Sequence, residues 1–408
     1  MNALTRAQAA ALAVMLVLVA LLAGYAVTSL NGASPATAQA VAEKHEEKAV
    51  RIPLHNTLII TVHRKTGETE TYVKEGDPWT QNLLALIVNN ILGQGYKSGT
   101  IPITYTDGST TIMIETEIYG SGSSTPSSAI AIGNGTTAFS PSDYRLASQI
   151  AVKDVEPTNV AFSDDGSTMR ANITTAILAN SNITVNEVGL ILKAAKYHTG
   201  SKGNILIARD VLSSPISLSP GDTITITYQV SFTYDNPPFL KNFATLLFNY
   251  TLGLRSYPVN IGPITATDES TVRGVDFGYD RYDPYAVVVY DVISERLDVL
   301  FEGDAQSVYS PTKYRVESAL ATVSDVTLAA QVVNATHARI DLAGASYVFS
   351  SPVTIYGAGA TLYTDINIGS GYAGKTILVL YFPLSEPLNV PQNRAAKLSF
   401  TIWLALAP

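Results

Sequence analysis

"WTQNLLALIVNNILG", residues 79–93, returns 160 positions later as "FLKNFATLLFNYTLG", residues 239–253. Asn82/Asn242, Leu86/Leu246, Asn89/Asn249, Leu92/Leu252 and Gly93/Gly253 are identical. In the first copy Leu83, Leu84, Ile87 and Ile91 fall three or four apart, a spacing that predicts a helix opened by Pro78 and capped by Gly93. Further correspondences follow in the same order. "SPSDYRLAS" (140–148) returns as "SPTKYRVES" (310–318), and "ITVNEVGLIL" (183–192) has the shape of "VTIYGAGATL" (353–362), with Gly189 over Gly359. "ILIARDVLSSPISLSPGDTITITYQVSF" (205–232) lies over "ILVLYFPLSEPLNVPQNRAAKLSFTIWL" (377–404). Offsets that drift only from 160 to 172 define an internal repeat.

Outside the helical segment the apolar residues alternate at period two, as in "TTIMIETEIY" (110–119), "SAIAIG" (128–133), "ANITTAILA" (171–179) and "DTITITYQVSF" (222–232). Turn formers separate these runs, the pattern of an antiparallel sandwich or jelly roll. The expected fold is mainly β: an N-terminal hydrophobic helix, then two tandem homologous β-sandwich or jelly-roll-like domains, each with one packed helix. The boundaries are 1–30 for the hydrophobic helix, 31–56 for a linker or donor segment, 57–235 for the first β domain and 236–408 for the second. Pro237 and Pro238 in "YDNPPF" end the last strand of the first copy and leave little slack before the second.

A formal net charge of −8, with 15% charged residues and no Lys/Arg cluster, excludes a nucleic-acid footprint. The absence of cysteine excludes disulfides, thiol nucleophiles and cysteine-ligated metals. Abundant Tyr suits strands with an exposed face. From Ala7 to Ala42 no side chain is charged, and "AAALAVMLVLVALLAGYAV" (9–27) has the length of a bilayer-crossing helix preceded only by Arg6. That pattern predicts export, with membrane contact through residues 9–27 at least before processing and an extracellular or cell-surface location. A cleaved secretory signal, a retained anchor and a pilin-type leader with "RAQA" (6–9) as its processing site all fit it.

Asn-x-Thr sequons make Asn134, Asn172, Asn182, Asn249 and Asn334 glycosylation candidates in an exported chain. "GVDFGYDRYDPY" (274–285) sets Asp276, Asp280 and Asp283 among aromatics, but without the ligand spacing of a defined calcium loop, so no metal is expected. No Ser/His/Asp arrangement, G-x-S-x-G or H-E-x-x-H occurs, so neither catalysis nor a cofactor is expected. "GQGYKSG" (93–99) follows a helix rather than joining strand to helix, and reads as a C-cap and turn.

The stretch from "ITVNEVGLILKA" through "SLSPGDTITITYQVSF" resembles a segment of tailed-phage virion proteins, including tail-fibre and appendage components, where an "EVGL" strand precedes a "LLAR" strand and a Gly-Asp turn opens the last strand. The second copy departs from it, with Gly357 for Glu187 and Asn393-Arg394 for the Gly-Asp turn. The leader, the duplicated β domains, the low charge and the lack of cysteine together resemble subunits of archaeal extracellular filaments. That resemblance implies a homopolymer in which a segment of one subunit completes the sheet of the next. The flank from Val41 through "RIPLHNTLIITVHR" (51–64), with Leu58, Ile59, Ile60 and Val62, is the candidate donor. The expected function is therefore a non-enzymatic, self-assembling structural subunit. A membrane-anchored virion structural protein and a glycan-binding adhesin are the alternatives.

Overall fold

The computed structural model describes residues 42–76, 78–91, 102–111, 114–115, 128–196, 202–248, 252, 264–265, 267–268, 271–272, 296–306, 309–324, 327–334, 337–367 and 372–405. The expected leader helix, "GQGYKSG" and the 274–285 loop lie outside the described residues. Among the described residues no helix is long and apolar enough to cross a membrane.

The fold is mainly β. In chain order the first strands are β1 (Ala42–Arg51), β2 (Leu54–His63) and β3 (Thr69–Glu75), followed by helix α1 (Gln81–Leu86). Then come β4 (Ile103–Thr104), β5 (Thr110–Thr111), β6 (Ile114–Glu115), β7 (Ser128–Gly133), β8 (Gln149–Asp154) and β9 (Val160–Asp164). The long strands β10 (Thr168–Leu178), β11 (Ile183–Lys196), β12 (Lys202–Leu218) and β13 (Thr223–Thr233) complete this part. Helix α2 (Lys241–Leu246) opens the next, with β14 (Ile264–Thr265), β15 (Thr271–Val272), β16 (Arg296–Glu302) and β17 (Ala319–Val323). It ends with β18 (Thr327–Asn334), β19 (His337–Phe349), β20 (Val353–Asn367), β21 (Tyr372–Val390) and β22 (Arg394–Ala405).

Residues 54–233 form two large sheets, ordered β3-β2-β13-β10-β9 and β12-β11-β7-β8, with β4 and β5 paired apart from them. Residues from 239 onward form two more, β1-β22-β19-β18 and β21-β20-β16-β17, the first of them completed by β1. In these sheets β22, β19 and β18 stand in the order of β13, β10 and β9. The same holds for β21, β20, β16 and β17 against β12, β11, β7 and β8. These two assemblies are called the first and second half below.

Alternation builds the cores. On β2, Leu54, Asn56, Leu58, Ile60 and Val62 are buried, while the residues between them face outward. Their antiparallel partners on β13 are Phe232, Val230, Tyr228, Ile226 and Ile224, which are buried too. Each such aliphatic or aromatic side chain contributes about 1.5–3 kcal/mol by leaving water. Strand β7 departs from alternation and is buried throughout, because its second face is covered by the loop 140–148 over Ala129, Ala131, Leu146, Ile191 and Leu206. Leu240, Val316, Leu378 and Tyr381 form the corresponding small cluster in the second half.

The helix is shorter and starts later than its periodicity predicts. Pro78 precedes the helix rather than opening it, since Pro78 to Thr80 run extended along β12. The Pro78 carbonyl accepts from the Arg209 amide at 3.0 Å, Trp79 bridges Ala208, and the Thr80 amide donates to Ile207 O at 3.0 Å. After Leu86 the turn widens to a π-helical stretch over Ile87–Ile91.

Candidate assembly site

The two halves differ at the edge of one sheet. In the first half, β13 is flanked by β2, antiparallel, with Thr227 against Ile59, and β3 lies outside β2. Among the described residues the second half puts no strand of its own in that place. Its predecessor strand β13 ends at Thr233, Phe239 already bridges Leu380, and α2 begins at Lys241. The place beside β22 is taken by β1, which runs parallel, from Ala42 against Ala396 to Arg51 against Ala405. Parallel entry is the opposite of what β2 does, so β1 is not the displaced counterpart of β2. Without β1, β22 would present a row of open N–H and C=O groups. Only Ile52 and Pro53 link β1 to β2.

The repeated helix is held the same way in both halves. The Asn82 amide donates to Leu206 O at 3.1 Å and to Thr104 O at 2.9 Å, and its own oxygen accepts from the Thr104 amide at 2.8 Å. The Asn242 amide donates to Leu378 O at 3.0 Å, Leu378 standing 172 positions after Leu206. The Gln81 amide donates to Pro141 O and the Lys241 amide to Pro311 O, each at 2.7–2.8 Å. An asparagine that joins a helix to a buried strand explains its identity in a repeat otherwise free to drift.

Beneath that loop each half buries a carboxylate. Glu187 is fully buried and accepts from the amides of Gly135, Ala147 and Ser148, at 2.7 Å for the shortest. Its second partner is Arg209, also buried, at 2.8 Å, and Arg209 reaches Asp143 at 2.7 Å and the carbonyls of Thr137 and Ala138. Burial alone would raise the Glu187 carboxyl, but the Ser148 and Ala147 amides and the Arg209 guanidinium outweigh it and hold the group below its ordinary range.

In the second half the corresponding residue is Gly357. The carboxylate has not been lost, however, because Glu302 stands directly across from Gly357 just as Gly133 stands across from Glu187. Glu302 is fully buried and accepts from the amides of Asp304, Glu317 and Ser318, the counterparts of Gly135, Ala147 and Ser148. The cation has moved as well. Tyr381 replaces Arg209, and Lys313, in the place of Asp143, lies 3.8 Å from Glu302, bonds Glu317 and sits 4.7 Å from the Tyr381 ring centre. A Cβ on Gly133 would stand 2.5 Å from Glu187 Oε1, and one on Gly357 would stand 2.8 Å from the Tyr381 hydroxyl, so glycine fits opposite each acid for a different neighbour.

The halves meet through aromatic contacts, with Phe232 of the first against Phe239 and Phe243 of the second at ring-centre distances of 5.5 and 5.8 Å, and through polar ones. Lys241 pairs with Asp164 at 2.6 Å, the Tyr234 hydroxyl donates to Asp164 at 2.6 Å, and the Tyr309 hydroxyl lies 2.6 Å from the carbonyls of both Tyr234 and Phe239.

The residues singled out as donors, Leu58, Ile59, Ile60 and Val62, lie on β2, paired within the chain to β13 and β3. Asn134 and Asn182 are exposed outside strands. Asn172 is partly buried on β10, in a groove of ≈ 360 Å³ lined also by Arg170 and Gln229. Asn334 ends β18, and Asn249 lies outside the described residues, as do Asp276, Asp280 and Asp283. Among the described residues no group of three metal-ligating side chains occurs. Comparison with known proteins brings no match, either to a family model or to a curated protein.

Proposed function

We propose that this chain is an exported, non-enzymatic structural subunit built from a duplicated β module, and that it polymerises with itself by exchanging its N-terminal strand. The observation that carries the reading is β1 filling, in parallel, the sheet position beside β22 that no described strand of the second half takes. A strand held at the end of a two-residue link completes one chain's sheet by folding back, or the next chain's by reaching forward. The forward connection is heterologous and does not close, so it propagates as a filament. The matching topology of the halves, the apolar segment 9–27 and the lack of cysteine support the same reading.

The lack of cysteine also supplies a clean test. His45→Cys with Ser399→Cys places one thiol on each side of the β1–β22 pair. Oxidised assemblies should run as a ladder of covalent multimers on non-reducing gels. Solely intrachain bonds would end strand donation, and the absence of fibres under the electron microscope would end self-assembly.

A further inference from the structure

At the position where the second half packs two phenylalanines, the first half buries charge. Phe382 and Phe400 stack with ring centres 4.6 Å apart. Their counterparts are Asp210 and Tyr228, both essentially without solvent exposure. Across from them, Lys74 reaches in from edge strand β3, with Nζ 2.5 Å from Asp210 Oδ1. Burial and the neighbouring Asp210 charge push the Tyr228 phenol well up. An apolar pair serves this site in the second half, and replacing a buried ion pair by packed apolar residues is often neutral or stabilising. The retained charges in the first half therefore call for a chemical reason.

The fourth member of the cluster is Asn56, 3% exposed on the inward face of β2. Lys74 stands opposite Leu58, and the next inward position on β3 is Gly76, whose amide donates to Asn56 O at 3.3 Å. Lys74 Nζ lies 3.8 Å from where a Cβ on Gly76 would be, so the amine points along the sheet toward Asn56 rather than away from it. Diagonal cross-strand neighbours of this kind are within reach of a long side chain.

We propose that Lys74 and Asn56 form an intramolecular isopeptide bond, with Asp210 as the proton shuttle. Asp210, itself buried and already in contact with Lys74 Nζ, takes the proton from the Lys74 ammonium. The neutral amine attacks Asn56 Cγ to form the new C–N bond. Asp210 delivers a proton to the departing Nδ2 as the old C–N bond breaks. The leaving nitrogen departs as ammonium, taking the transferred proton and one from the attacking nitrogen by way of the same carboxylate, which returns to its charged form. The step is a transamidation with no change of oxidation state and no external reagent. It ties edge strand β3 to β2 covalently in a chain that has no cysteine for the purpose.

The test is tryptic peptide mapping of the purified full chain. The expected product joins residues 52–64 to residues 66–97, uncleaved after Lys74 and lighter than the sum of the two peptides with that uncleaved bond by one ammonia. Lys74→Arg and Asp210→Ala should each lose the joined species. Phe382→Asp, in the second half, should not create one. Recovery of both peptides separately and unmodified from folded wild-type protein would overturn the proposal. A junction to the Asp210 peptide with loss of water would overturn it too, since Asp210 would then be the acceptor. Should the variants fail to fold, the wild-type map alone decides.

Discussion

The first half closes with strands that follow one another in sequence, whereas the second closes with a strand taken from ahead of the first. The same division appears inside the sheets. Both halves tie a loop to a buried carboxylate through three backbone amides, yet the acid sits on β11 in one and on β16 in the other, the strands that face each other across the pair. What persists is a buried anion at one place in space. Neither the strand that carries it nor the residue that balances it is fixed. A requirement of this sort follows from the loop's own amides, which need an acceptor once they are buried.

The largest effect expected from breaking that comparison falls on the first half. Glu187→Ala leaves Arg209 buried beside only Asp143 and two carbonyls, and should cost about 3–5 kcal/mol in denaturant unfolding. Glu302→Ala leaves Lys313 with Glu317 and the Tyr381 ring, and should cost less, about 1–3 kcal/mol. Gly133→Glu with Glu187→Gly rebuilds in the first half the arrangement of the second, and should be more stable than the sum of the single changes by about 1 kcal/mol or more. Additive losses would show that the two cradles are not equivalent.

The pH response sharpens the same point. Glu187 is held below its ordinary range in the folded chain, so the unfolded chain binds more protons as acid is added. Its contribution is fully present above the unfolded value of about 4.3 and is lost as pH falls through the depressed folded value. Acid unfolding should therefore shift upward in pH and become shallower in Glu187→Ala, as read by tryptophan fluorescence across a pH titration.

A smaller effect is expected at the helices. Asn82 satisfies three backbone groups, so Asn82→Ala should cost about 1–3 kcal/mol by leaving buried partners unpaired. Asn242→Ala should cost an amount of the same order. Chemical unfolding of the two variants would expose any difference in how the helices are held.

Much of the β pattern could be read from residue order alone. The inward positions of β2 and β13 follow strict alternation, and the anchors "SPSDYRLAS" and "SPTKYRVES" come out as matching loops. Two things were hidden. Glu187 to Gly357 reads as the loss of a motif, because a linear comparison cannot see that Glu302 is the cross-strand neighbour of Gly357. Strand β1, charged and without alternation, carries no strand signal of its own. Its place comes from an edge on β22 some 350 residues away, a long-range pairing that only the register reveals. The Lys74–Asp210 pair was hidden for the same reason, since its members are 136 residues apart.

The smallest expected effect concerns the turn before the last strand of each half. The first half has Gly221 there at φ 94° and the second has Asn393 at φ 56°, so the exchange of Gly-Asp for Asn-Arg keeps the left-handed conformation. Asparagine tolerates that region better than any residue but glycine, since its short side chain bonds locally. Gly221→Ala should therefore cost about 1 kcal/mol, while Gly221→Asn should cost a few tenths less, the difference measuring what asparagine recovers. Asn393→Gly relieves the local strain but frees the unfolded chain, and these oppose each other, so its unfolding midpoint should stay close to that of the unaltered protein. A large loss from Asn393→Gly would mean that the Asn393 side chain, and not merely its backbone, closes the turn, and the two turns would then be alike in shape only.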